Sequence, residues 1–132
     1  MKKLLVFFVL FAFLVVPFSA VAEDEVIEDY RAYYVPWIVH NPPTWWAGIN
    51  IKNMSEDDHD VYVTYEDEQG HVQKTEMITI PAYENYKWIL ESTETRSITF
   101  ECNAKIFITA LMGKGDEGIT ELEVREITNL KN

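Results

Sequence analysis

Cysteine is almost missing from this sequence. A single thiol, Cys102, stands in a chain of 132 residues, so no disulfide can form within the chain and packing must hold the fold. Basic residues are also scarce. Eleven Lys and Arg face 22 Asp and Glu, a formal charge of −11, and a surface of that sign repels phosphate. Nucleic-acid binding and docking on anionic lipid are therefore disfavoured. Histidine occurs three times, as His40, His59 and His71, never at a metal-ligand spacing such as His-x-x-x-His, so the histidines read as loop residues and no metal site is expected. There is no nucleophile elbow and no Cys–His signature of a hydrolase. Carboxylates abound, but choosing two of them as a glycosidase pair would be arbitrary, because their separation is not written in the sequence. No stretch carries the 3.6-residue period of an amphipathic helix.

What is present begins with an export signal. Lys2 and Lys3 precede an uncharged run from Leu4, and Ala20-Val21-Ala22 offers small residues for cleavage, the layout of a secretory signal over residues 1–22. The alternative is a retained anchor, since the 19 uncharged residues from Leu4 to Ala22 nearly match the 20 or so needed to cross a bilayer. Pro17 and the small residues favour cleavage, after which no membrane span is expected. No Cys stands at the cleavage point for lipid attachment, so the expected location is secreted or periplasmic. Loss of Lys2 and Lys3 would take the formal charge from −11 to −13. Residues 23–29 hold five acids around Val26 and Ile27, an acidic, flexible lead-in by composition. Residues 30–132 are then long enough for one domain with one core.

Within that domain the apolar pattern alternates with a period of two, broken by turn residues. The first strand, Ala32 to Val39, contains Pro36, which lacks an N–H for the ladder, and this predicts an edge strand. In the second, Trp45, Ala47, Ile49 and Ile51 share the core face, opposite Trp46, Gly48, Asn50 and Lys52. Val61, Val63 and Tyr65 mark a third strand, joined through Glu68-Gln69-Gly70 to a fourth from His71 to Ile80. Tyr86 to Leu90 reads as a short strand. From Ile98 to Met112 the even positions are apolar throughout, one bent or paired unit with Asn103 at the bend. Ile119 to Arg125 completes the series. The expected fold is all-β: a single antiparallel β-sandwich of about seven to eight strands, with a barrel less favoured. Parity places Cys102 in the core, as a small apolar side chain.

The order of several pieces resembles a widespread group of bacterial secreted β-sandwich domains. These are Tyr34-Val35-Pro36, the run from Trp45 to Asn53, Tyr65 to Gly70, Ile78-Thr79-Ile80-Pro81-Ala82, and Ser97 to Glu101. Trp37 and Ala47 depart from the residues common there, His and Thr. The resemblance implies an immunoglobulin-like, non-catalytic sandwich, and it brings no site residues with it, since fold does not fix function.

Two short motifs have structural readings beside functional ones. Ser55 to Asp60 holds enough oxygens to suggest calcium, but lacks the order of an EF-hand loop and is expected to be a solvated turn. Asn53-Met54-Ser55 matches a glycosylation sequon, yet Asn53 is expected to start that turn by bonding its own backbone. Aromatic residues are the better clue. After the signal come all four Trp and all seven Tyr, but only Phe100 and Phe107 of the Phe. Tyr33, Tyr34, Trp37, Trp45 and Trp46 cluster near the first loop, where most are expected to fill the core. Trp46 points away from the core set, and with Trp37 it is the candidate ligand-binding pair, a platform for a neutral glycan. The leading expectation is a non-catalytic module, without cofactor, that binds a protein partner or itself through a sheet edge or face. Carbohydrate binding through Trp37 and Trp46 is the alternative, and a hydrolase or hydrolase subunit comes third.

Overall fold

The computed structural model describes residues 30–127. The expected export signal over 1–22, the expected lead-in over 23–29 and residues 128–132 lie outside the described residues. Among the described residues nine strands follow in order: β1 Arg31–Val35, β2 Trp45–Asn53, β3 His59–Glu66, β4 Val72–Ile80, β5 Asn85–Ile89, β6 Ser97–Cys102, β7 Ile106–Lys114, β8 Ile119–Leu122 and β9 Arg125–Ile127. They form two antiparallel sheets, ordered β4-β3-β6-β1-β9 and β5-β2-β7-β8. The fold is a β-sandwich.

Period-two alternation produces both inner faces. Val61, Val63 and Tyr65 of β3, Ile98, Phe100 and Cys102 of β6, and Val35 of β1 meet Ala47, Ile49 and Ile51 of β2 and Ile106, Ile108 and Ala110 of β7 in one buried cluster. Burial of these aliphatic and aromatic groups supplies the main driving force for folding, since no covalent cross-link helps. The apolar even positions from Ile98 onward belong to two strands in opposite sheets: the chain turns at residues 103–105, and both strands still face one core. Cys102 is 2% exposed, and its thiol donates to the Ala104 carbonyl at 3.0 Å.

The first and last strands differ from the sequence expectation. β1 is not an edge: it lies between β6 and β9, with Tyr33 opposite both Phe100 and Glu126. Pro36 ends the strand rather than marking an edge, because the ladder stops at Val35, the last residue before the missing N–H. β9 supplies the second neighbour, and it exists because the terminal strand is really two. β8 pairs with β7 in the four-stranded sheet, and the chain then crosses at Glu123-Val124 to pair with β1. Leu122 and Val124 pack against the core on the way, so one continuous parity spans the crossing.

Two polar side chains fix the connections. His40 is buried in the 36–44 segment, and its Nδ1 accepts the Ala47 backbone N–H at 3.1 Å. Burial holds its pKa below the ordinary histidine value. Asn53, 0% exposed, ends β2. Its Oδ1 accepts from the Ser55 N–H at 2.9 Å and the Ser55 hydroxyl at 2.7 Å. Its Nδ2 donates to the carbonyls of Asp57, Ile80 and Pro81 at 2.7, 3.0 and 3.2 Å. The expected turn at Asn53 is therefore present, and the amide that a glycan would need is sealed inside it.

Candidate functional site

The sandwich opens along one side. β4 is one edge of the five-stranded sheet and β5 one edge of the four-stranded one, and the even positions of β4 from Lys74 to Ile80, beyond the bulge opposite Tyr65 and Glu66, face inward with Tyr86 and Trp88 of β5. At the lower end of β4 these positions are Ile78 and Ile80, both buried. Further up they become Glu76 and Lys74, charged groups that cannot close against an apolar layer without a partner. There the edges part into a cleft of about 330 Å³, at the small end of the roughly 300–1,000 Å³ usual for ligand sites. Tyr65, Lys74 and Glu76 form one wall and Tyr86 and Trp88 the other, with the 91–95 connection across the end.

One polar network occupies the first wall. Glu76 accepts from the Tyr65 hydroxyl at 2.5 Å and pairs with the Lys74 ammonium at 2.7 Å, while Lys74 Nζ lies 5.6 Å from the centre of the Tyr65 ring. Burial acts to raise the Glu76 pKa, but the bonds from Lys74 and Tyr65 outweigh it and hold the carboxyl below its ordinary value. The bond to Glu76 raises Lys74. Burial, reinforced by the Glu76 charge, raises Tyr65 far above the ordinary phenol value. All three groups thus stay in their neutral-pH forms, carboxylate, ammonium and phenol. None of them is poised near neutrality as a general acid or base needs to be.

The second wall is aromatic. Trp88 meets Phe100 of the core edge-on, with ring centres 6.4 Å apart, and Tyr86 tilts against Trp88 at 5.4 Å. Tyr86 is 42% exposed and leaves a ring surface toward the cleft. The Trp88 Nε1 is shut off from solvent and completes no hydrogen bond among the described residues. Gln73 donates to Glu94 and accepts from the Thr95 hydroxyl, each at 3.1 Å. The lining carries Lys74 against Glu76, Glu91 and Glu94, so it is negative overall and repels anions.

No family model and no curated protein matches this sequence. Among solved structures, the fold is similar to the crystal structure of Thermotoga maritima 1070. That likeness has a TM-score of 0.58 and 13% identity, covering 74% of this chain and 90% of that one. At such identity the likeness concerns the fold alone.

The two Trp residues singled out in the sequence stand apart from this cleft. Trp37 is 55% exposed in the connection after β1. Trp46 projects from the outer face of the four-stranded sheet, as parity required, but lies half-buried across Gly113 of the neighbouring strand. No ring contact joins the two among the described residues. Of the 55–60 stretch only 55–58 is a turn, held by the Ala82 N–H that Asp58 accepts at 3.0 Å; His59 and Asp60 already belong to β3, and Asp60 accepts the Thr79 hydroxyl at 2.6 Å across the β3–β4 ladder. Among the described residues no three His, Cys, Asp or Glu side chains converge to hold a metal ion. The cleft residues Lys74, Glu76, Tyr86 and Trp88 were not picked out from the sequence. Their signal was the shared parity of Lys74 and Glu76 with Ile78 and Ile80, which puts two charges on a core-facing side.

Proposed function

We propose that this chain is a non-catalytic binding module, secreted or periplasmic, whose cleft between β4 and β5 takes a small neutral ligand rich in hydroxyls, a saccharide in the first instance. The observation that carries the reading is the pairing of an exposed Tyr86 ring and Trp88 with a facing wall of Lys74, Glu76 and Gln73. An aromatic face accepts the apolar side of a sugar ring. A hydroxyl both donates and accepts, so it can serve Glu76, Glu91 or Glu94 and also Lys74, Gln73 or Ser92. An anion would satisfy Lys74 but meet three carboxylates. The export reading rests on Lys2, Lys3, the apolar run and Ala20-Val21-Ala22. The non-catalytic reading rests on a Glu76 whose two oxygens are already engaged by Lys74 and Tyr65.

Titration calorimetry with neutral, amino and acidic mono- and oligosaccharides tests this, with Trp fluorescence as a second readout. Neutral sugars should bind, acidic ones should not, and Tyr86→Ala should abolish binding while the protein stays folded by circular dichroism, its melting temperature falling only by the loss of the ring contact with Trp88. Binding that survives Tyr86→Ala but disappears in Trp46→Ala would move the site to the outer sheet face. No binding by any saccharide at millimolar concentration would sink the proposal.

A further inference from the structure

The outer face of the four-stranded sheet is unusual for so acidic a molecule. Cross-strand register sets its residues in rows: Trp46 beside Gly113 and Ile119; Ile89 beside Gly48, Leu111 and Glu121; Lys87 beside Asn50 and Thr109; and Lys52 beside Phe107. Ile89 is 55% and Ile119 64% exposed. Between them the two glycines leave no side chains to stand up, and the Trp46 indole lies flat over Gly113, so a shallow apolar groove runs across the sheet past Leu111. The face carries two cations, Lys52 and Lys87, and one anion, Glu121. The whole chain is at −11, so another acidic molecule meets less repulsion over this face than the net charge would impose.

The charges are also placed asymmetrically. Lys87 lies on β5, one edge of the sheet, and Glu121 on β8, the other. Neither makes an ion pair with any described residue. Lys52 differs, its ammonium being taken up by the Tyr83 carbonyl. A two-fold axis lying in the plane of contact, inclined to the strands so that the Lys87 row of each copy crosses onto the Glu121 row of the other, would place β5 of each copy over β8 of the other. Lys87 would then meet the opposing Glu121 twice, once at each side, with the apolar strip of Trp46, Ile89, Leu111 and Ile119 between. Such a patch is self-complementary, which is what an isologous contact requires.

We infer that this face is the interface of a homodimer, occupied by a second copy of this chain in that orientation. It lies on the opposite face of the sheet from the cleft, and the two meet at β5, where Trp88 and Ile89 border both.

Analytical ultracentrifugation of the purified protein, over a range of concentration and salt, gives the test. A monomer–dimer equilibrium is expected. Lys87→Glu and Glu121→Lys should each raise the dissociation constant about tenfold or more, because each creates two like-charged contacts. The double exchange should return it close to the parent value. Both sites are on the surface, so folding, checked by circular dichroism, should be unchanged, and Leu111→Lys should abolish the dimer. A parent that remains monomeric at high concentration overturns the inference. So does a dimer insensitive to Leu111→Lys, and so does a double exchange no better than the singles, which would rule out the two-fold placement of β5 over β8.

Discussion

Asn53 is the residue whose replacement should most clearly expose how the end of the sandwich is held. Asn53→Ala removes an amide that reaches three carbonyls and a carbonyl that serves both polar hydrogens of Ser55. Two amide hydrogens cannot bond three oxygens fully, so the loss amounts to about four hydrogen bonds, each contributing roughly 0.5–1.5 kcal/mol net. Water can replace some of these on the exposed side of the turn, at Asp57, but not at the Ile80 carbonyl, where the bond is buried. The expected destabilisation is about 2–4 kcal/mol, equivalent to roughly 10–25 °C in melting temperature for a domain of this size. Thermal unfolding by circular dichroism, together with urea titration, measures it. Asn53→Asp supplies the decisive comparison. It keeps the acceptor for Ser55 but turns an oxygen toward three carbonyls, so at pH 7 it should be at least as harmful as Asn53→Ala, and acidification should relieve part of the cost as the carboxyl takes up a proton. A loss below about 1 kcal/mol for Asn53→Ala, or wild-type stability for Asn53→Asp at pH 7, would show that the turn does not depend on this hub.

Gly113→Ala should destabilise by roughly 1–3 kcal/mol through overpacking, because a Cβ there would come within 2.3–2.5 Å of three Trp46 indole atoms; combining it with Trp46→Ala should recover much of the loss, and fully additive losses would contradict the contact. Acid should weaken the fold in two stages. His40 has its folded pKa lowered from 6.5 and Glu76 from 4.5, so in each case the unfolded chain takes up the proton first, and stability present above those values is lost as pH falls through the folded ones. Urea midpoints measured against pH should show the first decline in the parent and not in His40→Gln; a decline that persists in the variant would assign it to another group. Cys102 should react slowly with a thiol reagent in the native protein and quickly in urea, whereas fast native labelling would contradict its burial.

Much of this protein was legible in one dimension, because a strand writes its two faces into alternate residues. The all-β class, the single core, the inward side of β2, the burial of Cys102 and the outward projection of Trp46 all follow from parity, which survives even where the chain changes sheet at 103–105. The Asn53 turn was readable because its hydrogen bonds begin between neighbours in sequence. Which strands become neighbours is another matter, since it depends on pairing between segments far apart, and alternation is the same whether a strand is central or at an edge. Hence Pro36 misplaced β1, whose second neighbour β9 comes from 125–127, and the division of the last strand between two sheets left no mark in a parity that continues across it. The cleft has the same origin. Lys74 and Glu76 on a core-facing parity announce only that something must pair with them. That the partners are each other and Tyr65, and that Tyr86 and Trp88 form the opposite wall, was decided by two sheets whose edges, β4 and β5, the fold brings together and leaves open.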